Sequence, residues 1–301
     1  MAVLPAASAR TRTSLGTILE FVKIEHSLFA LPFVLAGMVV GLVAVGRPLE
    51  ASWENARLLA LVLAAAVSAR TLAMTLNRIL DRAIDAANPR TASRALASGA
   101  MGLSTAWTLA AASLAVLAVS AALLNPLCLA LAPLLVGLFF AYPYAKRHTW
   151  ACHFVLGLAF FSAPGGGFLA VTGSFDATWL GVFFGFAAFF WVAGFDVVYA
   201  LLDVEHDRAH GIRSIPARFG VAGARAWARA LHALTVLALA GAGLVLALAW
   251  PYWVAVALVA GLLAYEHLIA DPKDPVALNK AFFNVNAGIG WIVLAGLLLG
   301  L

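Results

Sequence analysis

The sequence predicts an all-α polytopic membrane protein, a bundle of nine transmembrane helices around a central cavity. Three observations predict it. Of 301 residues, 64% are hydrophobic and only 11% charged, with a mean hydropathy of +0.97; a soluble domain of this length needs more charge to cover its surface. A spanning helix takes roughly 20 mainly apolar residues, and nine such stretches follow one another along the chain. Threading the chain through a membrane on those stretches also gathers its basic residues on one side.

The spans lie near residues 24–45, 57–80, 103–124, 126–143, 150–172, 178–201, 230–249, 252–269 and 281–300. Junctions such as Asn125-Pro126 and Trp250-Pro251 leave room only for tight hairpins between helices. With the N-terminus inside, all but three of the 19 Lys and Arg share its side, near 10–23, 78–94, 146–147, 208–229 and 273–280; Arg47 and Arg57 lie opposite and Arg70 falls within a span. That positive-inside bias puts the N-terminus and the longest polar loops at the cytoplasmic face of the inner membrane. The net charge of +5 therefore reports topology, and no nucleic-acid partner is implied.

Residues 1–20 read as a short basic cytoplasmic tail. No small-residue cleavage site follows the first apolar run, which carries Lys23, Glu25 and His26 at a helix mouth as interfacial anchors. No Pro/Ser-rich linker divides the chain, so residues 1–301 form a single transmembrane domain. Cys128 and Cys152 match no metal-ligand spacing and read as small packing residues.

The longest polar stretches, 81–101 and 203–229, follow spans two and six and resemble each other. Each opens with Asp residues four apart, and an Arg follows (Arg90, Arg213), then Ser93-Arg94 in one and Ser214 with Arg218 in the other. Two such stations four helices apart suggest a duplicated bundle whose halves face one cavity.

Acidic residues number only 14, and Asp81, Asp85, Asp196, Asp203 and Asp207 fall on these two helix ends. Ionisable groups at membrane depth are costly and mark function by default. Asn77, Asp81 and Asp85 are successive fours, and on a helix each step of four turns only ~40° and climbs ~6 Å, so they form one ridge. Asp203 and Asp207 repeat it, with Tyr199 one step deeper. Like charges at i and i+4 oppose helix formation, so folding does not explain the pairs. One pair alone would be a solvated helix end steadied by Arg78, Arg82 or Arg208. Two on one membrane side point to magnesium, which takes one or two carboxylates plus substrate phosphates and water. Glu205 lies off the ridge and is solvated.

Here a resemblance becomes specific. N-R-I-L-D-R-A-I-D (77–85) and D-V-V-Y-A-L-L-D-V-E-H-D (196–207) resemble the two Asp-rich motifs of the UbiA superfamily of prenyltransferases. G-I-R-S-I-P-A-R-F-G (211–220) continues the likeness, and Y-P-Y-A-K-R (142–147) is similar to the family's loop after the fourth helix. Arg78 departs from the family, where Asp is common, but the ligand-spaced residues are kept. K-I-E-H-S-L-F-A-L-P-F (23–33) resembles the 4-hydroxybenzoate polyprenyltransferase-like branch, menaquinone-pathway relatives included.

The resemblance implies a nine-helix bundle and magnesium-dependent transfer of a polyprenyl group from an allylic diphosphate to an aromatic acid, 4-hydroxybenzoate or a dihydroxynaphthoate, in ubiquinone or menaquinone synthesis. Asn77, Asp81, Asp85, Asp203 and Asp207 would hold Mg2+ and diphosphate; Arg90, Lys146 and Tyr142 would neutralise the diphosphate. Arg213 joins them on the repeat argument alone. Arg147 and His148 read as positive-inside anchors.

The acceptor is expected deeper than the metals. Arg70 stands seven residues before Asn77, close to the same face and ~10 Å further in, and Asp196 stands likewise to Asp203. Arg70 has two partners available, Asp196 or the carboxylate of an aromatic acid, for which its donor fork is suited. Asp196 is that partner or an acceptor of a phenol proton. Asn279 and Asn286 open the last span and are expected to bond neighbouring helices. A transporter also places acids and an Arg within a bundle, but near the midplane on broken helices. Within the enzymes, haem, chlorophyllide or a glycerol phosphate lipid are the other acceptors. The sequence shows no obligate protein partner.

Overall fold

The computed structural model describes residues 15–23, 27–271, 274, 276, 278 and 281–301. Ile24, Glu25, His26 and Asn279 lie outside them. The elements in order are α1 (Leu15–Val22), α2 (Ser27–Ala44), α3 (Trp53–Leu80), α4 (Arg82–Ala87), α5 (Leu103–Leu124), α6 (Pro126–His148), α7 (Cys152–Thr172) and α8 (Val182–Tyr199). A 3-10 turn (Ala200–Asp203) leads to α9 (Val204–Ala209), then α10 (Ile215–Val245) and α11 (Trp250–Ile269), and a π-helical turn (Ala281–Val285) opens α12 (Asn286–Gly300). Among the described residues, eight stretches are long and apolar enough to cross a membrane, and the shorter apolar Phe29–Ala44 packs among them, in keeping with the nine expected spans.

Several boundaries differ from expectation for local reasons. The seventh span starts at Ile215 rather than near 230: its first turns carry Arg218, Arg225 and Arg229, which mask a helix in a hydropathy reading. Gly220, at φ 71° and ψ −179°, kinks it in a conformation only glycine adopts readily. The fourth span runs through Pro143 to His148. Part of the expected tail is helical, because Phe21 and Val22 on α1 bury against Leu96, Met101 and Ala106.

Packing repeats between the halves. Spans two and three (α3, α5) run along each other, as do six and seven (α8, α10), and α2 and α7 join the halves. The α2–α7 seam rests on two glycines. A Cβ on Gly37 would stand 1.9 Å from the Pro164 carbonyl oxygen, and one on Gly167 would stand 2.0 Å from that of Val34. Small residues let helix backbones touch where lipid offers no hydrophobic drive.

Outward faces are apolar: Leu134, Leu237, Leu244, Leu258 and Leu299 are exposed, as lipid-facing positions should be. Trp53, Trp179 and Trp250 are exposed at the helix ends opposite the Asp residues, where an aromatic belt sits. Inside, Trp191 packs on Phe33, Phe195 and Phe29. Its indole N–H donates to Asn286 Oδ1 at 2.6 Å, the interhelical role expected of that Asn.

Candidate functional site

Both Asp pairs sit where a helix breaks. Asp81 caps α3: its N–H donates to the Asn77 carbonyl at 2.9 Å, its own carbonyl accepts from Asp85 N–H at 2.8 Å, and its φ and ψ are −92° and 4°. Asp203 ends the 3-10 turn at −115° and 8°. Each thus lies near the sparsely used bridge region, and the straight ridges expected from the spacing are bent at their first Asp. The cause is local. Asp is a poor interior helix residue because its oxygens compete for other donors, and here both side chains have found them.

Asp81, 1% exposed, is paired by the ammonium of Lys146. Asn77 Nδ2 donates to its Oδ2 at 3.0 Å, and an Arg147 nitrogen stands 3.7 Å from Oδ1. Burial pushes the Asp81 carboxyl above its ordinary range, against the pull of Lys146. Asp85 takes the Arg94 guanidinium at 2.6 Å. Asp203 accepts from Asn88 Nδ2 at 2.9 Å and from two Arg90 nitrogens, Nε at 2.9 Å and Nη2. Arg90 Nη1 also donates to Tyr199 Oη at 2.8 Å. Burial lowers the Arg90 pKa, yet the bonds to Asp203 outweigh it and hold the guanidinium above its ordinary value. Asp207 accepts from Ser214 Oγ at 2.9 Å, the residue that also caps α10.

The loop after the first ridge therefore grips the second ridge. Sequence reasoning had Arg90 but missed Asn88, and it gave Arg94 and Ser214 no task beyond the repeat. Arg147 does more than anchor: it donates to the Leu80 carbonyl at 2.6 Å, satisfying a helix-end acceptor beside Asp81. Arg213 breaks the analogy with Arg90. Its guanidinium donates to the His148 carbonyl at 2.6 Å and its N–H to that of Lys146 at 2.7 Å, so it fastens the end of α6 that carries Lys146.

Deeper in the bundle, Arg70 stands half-buried on α3. Tyr142 is half-buried on α6, among the charges of Asp196 and Asp81. Asp196 is partnered by His153, whose Nδ1 lies 2.7 Å from Asp196 Oδ2. A lone His on an apolar span gave no sequence signal for this.

The donor set fits magnesium. All four Asp side chains offer hard oxygens, and the buried Oδ1 of Asp81 accepts no hydrogen bond, a vacancy in bonding that a cation would fill. Among the described residues no three His, Cys, Asp or Glu side chains converge as a closed metal cage. Magnesium is commonly held by one or two carboxylates while phosphates and water complete its shell. A cavity of about 630 Å³ opens beside Asp207, lined by His148, Trp150, Arg208, Arg213, Ser214 and Arg218 among others.

Comparison with known proteins matches residues 30–288 to the UbiA prenyltransferase family. The 4-hydroxybenzoate solanesyltransferase of Synechocystis is 38% identical over 218 residues, 70% of this chain and 72% of that one. The 4-hydroxybenzoate geranyltransferase 1 of Lithospermum erythrorhizon is 34% identical over 212 residues, 70% and 68% of the two chains. Among solved structures, the apo UbiA homologue of Aeropyrum pernix K1 superposes with a TM-score of 0.81 at 35% identity, covering 92% of this chain and 98% of that one. A UbiA homologue of Archaeoglobus fulgidus bound to GPP and Mg2+ shares the fold, with a TM-score of 0.67 at 21% identity, over 93% and 99%.

Proposed function

The chain belongs to the UbiA prenyltransferase family, and on that premise we propose that it transfers a polyprenyl group from an allylic diphosphate to an aromatic acid, 4-hydroxybenzoate or a dihydroxynaphthoate, for ubiquinone or menaquinone synthesis. One observation carries the reading: four Asp side chains of two ridges gather at one end of the bundle, stitched by Arg90 from the first loop to Asp203 of the second. A fold alone has no use for that concentration of charge at a membrane's edge. The names of the relatives support the aromatic acceptor.

Asn77, Asp81, Asp85, Asp203 and Asp207 would hold Mg2+, which when bound supplies positive charge against the leaving diphosphate. Arg90 and Lys146 are donors aimed at the same charge, held ready by the carboxylates they now contact, and Tyr142 is a further donor for it. Arg94 joins them through Asp85. Apolar walls exclude water from an allylic cation, and the buried aromatic cluster that includes Phe195, the residue before Asp196, would offer it π faces. The electron-rich ring attacks that cation and then loses its ring proton. Arg70 takes the acceptor's carboxylate through its donor fork, and Asp196 faces its phenol. The positive-inside bias puts the N-terminus and this site on the cytoplasmic side of the inner membrane, with residues 1–301 forming one domain.

The test is prenyl transfer in liposomes, with labelled geranyl diphosphate and 4-hydroxybenzoate or 1,4-dihydroxy-6-naphthoate, with and without magnesium. Magnesium-dependent product from one acceptor, lost in Asp81→Ala and Asp203→Ala, is the expected result. Diphosphate bound without product from either acid would shift the acceptor to another class; no diphosphate binding would sink the prenyltransferase reading.

A further inference from the structure

His153, one residue into α7 and 2% exposed, has both ring nitrogens in use. Nδ1 faces Asp196 Oδ2 at 2.7 Å, and Nε2 accepts the backbone N–H of Ile215 at 3.2 Å. A backbone N–H only donates, so Nε2 carries the lone pair and the ring proton sits on Nδ1, pointing at the carboxylate. Both ring nitrogens are thus committed, Nδ1 to the carboxylate and Nε2 to the Ile215 N–H. It ties α7 to Asp196 on α8 and to the first residue of α10. The residue before that, Ser214, caps α10 and donates to Asp207 Oδ2 at 2.9 Å. The bond to His153 uses one Asp196 oxygen, and the carboxylate keeps some exposure, 16% of its side chain.

We infer that His153 is a positioning residue for the acceptor: it holds Asp196 in one orientation, with Oδ1 left to accept a hydrogen bond from the phenol hydroxyl of an aromatic acid. Through Ile215 and Ser214 it also sets that carboxylate at a fixed place relative to the second Asp ridge. The inference rests on the aromatic-acceptor reading above. Partners of this kind are worth about 10- to 100-fold where they orient a reacting or ligating group.

The experiment compares His153→Leu with His153→Gln in liposomes, measuring kcat and KM for the acceptor and, separately, magnesium-dependent retention of labelled prenyl diphosphate. Leucine offers Asp196 no donor. Glutamine offers an N–H to Asp196 and a carbonyl to the Ile215 N–H, as the imidazole does. Expected is an acceptor kcat/KM reduced about 10- to 100-fold in His153→Leu, with diphosphate retention within about twofold of the parent. His153→Gln should return to within about threefold. A purely structural residue would lower both substrates' parameters together, and that result overturns the inference, as does a leucine variant matching the parent. If His153→Leu does not fold, His153→Gln decides alone: folded with near-parental acceptor kinetics supports the role, folded without them overturns it. A parent that binds prenyl diphosphate but prenylates no aromatic acid defeats the functional reading, and this inference with it.

Discussion

Arg90 closes its guanidinium on the carboxylate of Asp203, 113 residues further along the chain, with Nε 2.9 Å from Oδ1 and Nη2 on Oδ2. Its remaining arm reaches Tyr199. The contact is a two-nitrogen fork across the two halves of the bundle, a geometry Lys cannot reproduce. It also brings a cation to the place where a diphosphate would meet the second ridge.

Arg90→Ala should therefore lower kcat/KM for prenyl diphosphate about 10- to 100-fold, the loss expected for a charge-assisted bond of about 1.5–3 kcal/mol. Arg90→Lys should restore less than half of that in free-energy terms. Steady-state kinetics at saturating acceptor read this directly. A lysine variant as active as the parent would show that only the charge matters and not the fork.

The α2–α7 seam predicts a stability contrast. Gly167→Ala puts a methyl 2.0 Å from the Val34 carbonyl oxygen, and Gly37→Ala puts one 1.9 Å from that of Pro164; in both cases the obstacle is backbone that cannot rotate away. Overpacking of this kind costs about 1–3 kcal/mol or more, so the detergent-solubilised variants should melt several degrees lower or fail to accumulate. Gly261→Ala on α11 meets nothing within 4 Å and should gain up to about 1 kcal/mol from helix propensity. Thermal melts of the three variants settle the order.

The nine spans were legible because hydropathy is a property of one segment at a time. Where a segment mixes signals, legibility failed: the basic start of α10 hid its first turns, and the i, i+4 rule could not foresee that Asp81 and Asp203 leave helical geometry to reach Asn77, Lys146, Asn88 and Arg90. The ridges themselves were visible because two acids at helical spacing are rare in so apolar a chain. Asn88 and His153 were not, since their partners lie 115 and 43 residues away and neither has a local pattern. Arg213 shows the limit of a likeness between two loops: it suggested a phosphate contact, and the bond of Arg213 to the His148 carbonyl has no counterpart at Arg90.

Asp81 sets a pH test in metal-free buffer. Its carboxyl is held above the ordinary value of 3.8, chiefly by burial. A group raised in this way stabilises the fold below its ordinary pKa and loses that contribution as pH rises through the folded value. Asp81→Asn keeps an oxygen for Asn77 and Lys146 but carries no charge. With chelator present, it should therefore melt level with or below the parent near pH 4 and a few degrees above it at pH 7, while being inactive at either pH. A variant that melts lower at pH 7 would mean that the Lys146 pair outweighs the cost of burying the charge.

Ser214 joins a stability role to a site role, and two substitutions separate them. Its hydroxyl accepts the Ala217 N–H at 3.3 Å as the α10 cap and donates to Asp207 at 2.9 Å. Ser214→Ala removes both bonds, and loss of a cap costs about 1 kcal/mol. Ser214→Asp keeps the capping oxygen but faces Asp207 with a second negative charge. The aspartate variant should thus melt closer to the parent than the alanine variant in magnesium, and lower in chelator, because only a bound cation offsets the added repulsion. Activity should fall in both, with the magnesium half-saturation point raised in Ser214→Ala, whose Asp207 has lost its orienting donor. Parallel melts and magnesium titrations check this; equal responses of the two variants to magnesium would remove Asp207 from the proposed ligand set.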